Sequence, residues 1–286
     1  MTVRTYTFEP TVPDREEWTV GAALARQVAL RPDATYLDAA DTGETWTYAE
    51  IQDAATRIAS GLLSRGHTPG DRLVVLMPNN AEYILTWLGS SLAGLAQVPI
   101  NTAYRGSFFD HQVRTVAPTG AVVTPPLADR LIESRDACRT IRHVYVVSPD
   151  ESSSADTIER LTGAGYLCHR FTELVNAEIA ELPAVSPDDL GAVFFTSGTT
   201  GLSKGVTMSH SQLHFFAEEG AALVRLTSED VYMSVGPLFH GNAQFLTAYP
   251  SLIIGARYVL RSRFSARRAE LLRADAGGRW GKCRLC

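Results

Sequence analysis

Cysteine is scarce in this chain. There are four in 286 residues: Cys138 and Cys168 stand alone, and Cys283 and Cys286 fall within the last four positions. So few thiols cannot staple a fold of this length, which excludes a disulfide scaffold and makes a reducing, cytoplasmic compartment the expectation. A long apolar run is missing too. Tyr83–Tyr104 carries no charge, but Thr86, Ser90, Ser91, Gln97 and Asn101 interrupt it and Pro99 sits near its end. A spanning helix needs about 20 predominantly apolar residues, so this stretch reads as a buried helix running into a buried strand, and no integral membrane span is expected. The first twenty positions, with Arg4, Glu9, Asp14, Arg15, Glu16 and Glu17, hold no apolar core of the kind a secretory signal requires. Nor is there an excess of positive charge: 26 Lys and Arg face 31 Asp and Glu, a formal −5. No global basic surface results, and no nucleic-acid partner is expected. Internal repeats and heptad arrays are absent.

What is present suffices for a sizeable core: 45% hydrophobic and 20% charged residues exclude a mostly disordered chain. The length suits one large domain or two ordinary ones, at roughly 150 residues each. Thr47-Tyr-Ala-Glu50 is a capping box, followed by Ile51, Ala54, Ala55, Ile58, Leu62 and Leu63 at helical spacing, with Gly66 as the stop. Leu73–Met77, Gln97–Ile100, Ala121–Thr124, Val144–Val147, Gly191–Phe195, Val231–Val235 and Arg257–Leu260 read as short strands. Helices are expected from Asn80 to about Leu95 and from about Ser211 to Val224. Apolar strands separated by helices predict an α/β fold of layered, mainly parallel sheets with flanking helices. Ser148–Asp156 and Leu182–Asp189 read as exposed loops. The tail from Ala266, rich in Arg and ending Cys-Arg-Leu-Cys, supplies no further strand by pattern.

The most informative stretch is Thr196-Ser-Gly-Thr-Thr-Gly-Leu-Ser-Lys-Gly205, set after one predicted strand and before a helix. Gly198, Gly201 and Gly205 allow close backbone approach. Thr196, Ser197, Thr199 and Thr200 offer hydroxyls, and Lys204 adds one cation. Several neutral donors in a nest with a single positive charge suit a phosphate chain. The common P-loop differs, because there the lysine follows a glycine and precedes Ser or Thr. The plainer reading is a flexible Ser/Thr/Gly surface loop.

This loop resembles the phosphate-binding signature of the AMP-forming acyl-CoA synthetase and adenylate-forming ligase superfamily, with Ser203 where that family usually has proline. Thr45–Ile51, Leu92–Asn101 and Val235–Asn242 resemble other segments of the family in the expected order, so that the likeness runs from about residue 19 to about residue 264. It implies the incomplete N-terminal domain of the adenylate-forming ligase fold: a first α/β subdomain at 1–183, the start of a second at 184–264 with the phosphate loop, and an atypical tail at 265–286. It further implies ATP, Mg²⁺ and coenzyme A, a small-molecule carboxylate substrate, and a place in fatty acid metabolism. Thr196, Ser197, Gly198, Thr199, Thr200, Gly201, Lys204 and Gly205 would then hold the nucleotide. Thr196 or Thr200 would serve Mg²⁺, Phe239, His240 and Asn242 the acyl group, and Lys204 and His240 catalysis. Asn101–Gly106 and Phe239–Gln244 look similar to bacterial acyl-CoA or carnitine-type CoA ligases.

The family's later motifs, Tyr-Gly-x-Thr-Glu and Thr-Gly-Asp, are absent, and the pattern is lost after Phe264. The expectation is a truncated or frameshifted ligase whose Ala266–Cys286 tail is read out of frame. A non-catalytic phosphate-binding remnant or an interaction fragment is the alternative. His210 and His214 share a helix face at i, i+4 spacing but lack the Glu and the third ligand of a zinc protease site. Cys283 and Cys286 lack the strand or second pair that a metal or redox motif needs. Asp188-Asp189 reads as a solvated loop.

Overall fold

The computed structural model describes residues 9–196, 203–234 and 236–262, together with the backbone of 283–285. In chain order the helices are α1 (Val20–Leu30), α2 (Tyr48–Ser64), α3 (Ala81–Leu92), α4 (Ser107–Val116), α5 (Pro125–Glu133), α6 (Glu151–Gly163), α7 (Thr172–Val175), α8 (His210–Val224), α9 (Gly241–Ala243) and α10 (Tyr249–Ile254). The strands are β1 (Thr35–Ala39), β2 (Glu44–Thr47), β3 (Arg72–Leu76), β4 (Ala96–Pro99), β5 (Gly120–Val123), β6 (His143–Val146), β7 (Leu167–Arg170), β8 (Leu190–Phe195), β9 (Gly205–Ser209), β10 (Val231–Ser234), β11 (Arg257–Leu260) and β12 (Cys283–Leu285).

Among the described residues the strands form two sheets. Seven run in the order β7-β6-β5-β3-β4-β8-β9, all parallel except β9, which returns antiparallel to β8. Five run in the order β12-β10-β11-β1-β2, parallel except for the β1–β2 pair. Strands from either side of residue 183 occur in both sheets.

The apolar strands are explained by burial on both faces. In β3, Leu73 and Val75 join the larger core, shared with α1, α2, α3, α8 and α10, while Val74 and Leu76 join the core under α4, α5 and α6. Tyr145 alternates in the same way with Val144 and Val146. A sheet covered by helices on both sides needs no polar alternation.

The local signals act as their chemistry requires. Thr47 caps α2 with both limbs of its capping box formed, and Gly66 lies beyond the helix end at φ +86°. Asn80 caps α3 by accepting from the Tyr83 amide, and the uncharged Tyr83–Tyr104 stretch is a buried helix leading into a buried strand. No helix among the described residues is long and apolar enough to cross a membrane. The amino-terminal segment is strapped to α8. The amides of Thr11 and Val12 donate to the buried Glu218 carboxylate, and Trp18 stacks on His214 at 5.1 Å between ring centroids.

Three expectations are corrected. Ser148–Asp156 is not a loop throughout: Asp150 accepts from the amides of Ser152 and Ser153 and starts α6. Its buried stripe, Ser154, Thr157 and Leu161, is too polar to register as amphipathic. The glycine-rich segment does not lead straight into a helix, because β9 intervenes. The tail does supply a strand: β12 pairs parallel with β10, Val231 facing Cys283.

Candidate active site

β8 lies next to the edge of the seven-stranded sheet and β9 returns antiparallel as its edge strand, so the two form a β-hairpin whose connection is the glycine-rich segment. Its base is closed by two hydrogen bonds. The Thr196 amide donates to the Lys204 carbonyl at 3.0 Å, and the Lys204 amide to Thr196 Oγ1 at 3.3 Å. Gly205 sits opposite Phe195, where a Cβ would come within 3.2 Å of Val193 Cγ1. Thr196, Lys204 and Gly205 are exposed. Ser197, Gly198, Thr199, Thr200 and Gly201 lie outside the described residues. With β9 in the way, no helix N-terminus follows the loop directly, so the helix dipole is not available to it. Among the described residues, an anion at this place would meet the Lys204 ammonium and the Thr196 hydroxyl.

One flank of the hairpin lines a cavity of about 340 Å³. Phe194, Phe195 and Met208 come from the two strands, and Phe216 from α8. Pro99 ends β4, Asn101 and Tyr104 follow it, and Gln112 comes from α4. The other wall is Phe239–Asn242 with Phe245 and Leu246. The Phe194 and Phe245 rings meet edge to face at 4.9 Å. Between α9 and α10 the chain makes a π-helical turn, Gln244–Ala248, which supplies Phe245 and Leu246 to this wall. Such widened turns are frequent at functional sites. The lining is largely aromatic with a few amides and one imidazole, the usual make-up of a small-molecule pocket.

The structure thus brings Phe239, His240 and Asn242 into one cavity with the strands that carry the loop. Phe239 is half-buried, while His240 and Asn242 are exposed at the mouth. Thr196, Lys204 and Gly205 do not line the cavity; they stand beside it, just past Phe195. Sequence reasoning missed Gln112, Met208 and Phe216. The first lies on a helix that was not read. Phe108, Phe109, Gln112, Val113 and Val116 have the spacing to reveal α4, but its N-cap is Gly106 at φ +53° with no side-chain cap.

The other polar clusters are separate. His210 and His214 do share the buried face of α8. His214 faces Glu218 at 3.3 Å and Tyr249 at 3.4 Å, and burial pushes His210 down to about 4. No group of three or more metal-binding side chains occurs among the described residues. Asp188 is exposed and pairs with Arg15, which agrees with its reading as a solvated loop.

Residues 24–276 match the family described as AMP-binding enzyme. The chain belongs to that family. The match passes beyond Phe264, where the resemblance was expected to stop. One relative is a 3-[(3aS,4S,7aS)-7a-methyl-1,5-dioxo-octahydro-1H-inden-4-yl]propanoyl:CoA ligase of Mycobacterium tuberculosis, 37% identical over 226 residues, covering 78% of this chain and 42% of the relative. A crotonobetaine/carnitine–CoA ligase of Salmonella agona is 30% identical over 226 residues, with the same coverage of 78% and 42%. The chain therefore spans less than half the length of these relatives. Among solved structures, a long-chain-fatty-acid–CoA ligase of Archaeoglobus fulgidus superposes with a TM-score of 0.79 at 20% identity, over 94% of this chain and 52% of that one. That likeness shows the fold: mixed, mainly parallel α/β sheets with flanking helices, as in the N-terminal domains of adenylate-forming ligases.

Proposed function

We propose that this chain carries the phosphate loop and acyl pocket of an AMP-forming acid–CoA ligase. In that reaction a carboxylate oxygen attacks the α-phosphorus of ATP and the bond to pyrophosphate breaks. The thiol of coenzyme A then takes the acyl group, and AMP leaves. The observation that carries the reading is the juxtaposition of the Thr196–Lys204 hairpin base with the aromatic cavity lined by Phe239 and His240. An acid in the cavity and a polyphosphate on the hairpin would meet at their shared edge.

In this reading the Lys204 ammonium, with donors from Thr196 to Gly201 and from Gly205, holds the β- and γ-phosphates, where charge accumulates as pyrophosphate departs. Positioning and charge stabilisation are the protein's main contributions to such a displacement. Phe239 and Asn242 hold the acyl body. His240, at the mouth, is assigned to the reacting carboxylate. Mg²⁺ bound with the nucleotide would supply charge neutralisation. It favours hard oxygen ligands and keeps several waters, so one hydroxyl suffices from this chain. The exposed Thr196 hydroxyl fits that need, and Thr200 is the alternative.

Calorimetric titration of the full chain with MgATP tests the reading. Wild type is expected to bind, and Lys204→Ala to bind at least about tenfold more weakly, as loss of a charge-assisted contact predicts. Absence of binding by wild type, or equal binding by the variant, would overturn it.

A further inference from the structure

Helix α4 does more than wall the cavity. Two consecutive side chains reach from it to Ser203, the residue before Lys204. His111 Nε2 lies 2.7 Å from the Ser203 carbonyl oxygen, and Gln112 Nε2 donates to Ser203 Oγ at 3.1 Å. Ser203 is half-buried and Gln112 is 2% exposed. The Gln112 side of the contact is therefore partly shielded from water, which lessens competition for the hydrogen bond. The same Gln112 lines the cavity beside Phe195 and Phe239. Its Oε1 is buried without a partner.

From this geometry we infer that His111 and Gln112 are positioning residues that clamp the lysine end of the phosphate hairpin to the wall of the acyl cavity. The clamp fixes Ser203 through both its carbonyl and its hydroxyl. Lys204, one bond further on, is thereby held at a set distance from the cavity. The Thr196 bonds close the hairpin from its other side, so the lysine end is tied to the sheet and to α4 together. This inference rests on the proposed ligase site for its functional meaning, but the clamp exists in the free protein and is testable there.

The test uses the full chain and four variants: Gln112→Leu, Ser203→Ala, their double, and Ser203→Thr. Hydrogen exchange of the Lys204–Val206 amides in the free protein reports local opening. Each single truncation is expected to speed exchange by about fivefold, the size of one modest hydrogen bond. The double is expected to be no faster than either single, because both delete the same contact. Ser203→Thr, which keeps the hydroxyl, should exchange like wild type. Affinity for inorganic pyrophosphate should fall about fivefold in the same pattern. Unchanged exchange in Gln112→Leu, or effects of the two singles that add in the double, would overturn the clamp. Should the exchange pattern appear while wild type binds no pyrophosphate, the clamp stands and the ligase reading falls.

Discussion

Gly89 shows how closely this molecule is packed at the scale of one residue. A Cβ there would lie 2.4 Å from Ile58 Cγ2 and 3.2 Å from the Ala55 carbonyl, so α3 crosses α2 where only a hydrogen fits. Gly89→Ala is expected to lose about 1–3 kcal/mol in urea unfolding, the usual cost of overpacking. Unchanged stability would mean that the two helices do not meet at that point. At the same scale half of the candidate site was legible in the sequence. Lys204, Phe239, His240 and Asn242 stand in recognisable motifs. Gln112 and Met208 do not, because what makes them part of the site is a fold contact between α4 and β9, and neither element was read from its sequence.

At the scale of elements, stability depends on caps as much as on apolar faces. Thr47 and Glu50 satisfy each other's backbone donors at the start of α2. Thr47→Ala is expected to cost about 1 kcal/mol, measurable as a shift in the urea midpoint with an unchanged slope, while a neutral result would discount the box. Such side-chain caps made α2 and α3 readable. α4 lacks one, and α6 hides its buried stripe in Ser and Thr, so both were missed for physical reasons. The hairpin was missed differently. β9 reads Gly-Val-Thr-Met-Ser and is mostly exposed, so its hydrophobic content does not announce a strand. Its pairing with β8 is what makes the glycine-rich segment the connection of a hairpin.

At the scale of the whole molecule, two buried imidazoles set the response to acid. Burial drives His67 down to about 4, with His143 and Arg142 acting in the same direction and Asp71 opposing. Burial also drives His210 to about 4, with Asp189 opposing. Both are neutral when folded and take up a proton near 6.5 when unfolded. The stability they permit is present in full above that value and is lost as pH falls from about 6.5 towards about 4, by up to about 3 kcal/mol each. The urea midpoint is therefore expected to drop between about pH 7 and about pH 5. A flat profile would contradict the burial of these rings. The layered α/β arrangement itself was legible, because double-sided burial leaves its strands uniformly apolar. The exchange of β1 and β2 into the sheet of β10 and β11 was not, since the pairing partners lie about 200 residues apart in the chain.

In the proposed reading the hairpin base and the aromatic cavity form one site for an acid and a nucleotide. The hydrogen-exchange footprint of MgATP together with a medium-chain fatty acid on the full chain tests it. Residues 203–206 and 239–246 are expected to gain protection together, and both to be protected more by the pair of ligands than by either alone. Protection confined to another surface, or no protection of either segment, would contradict it.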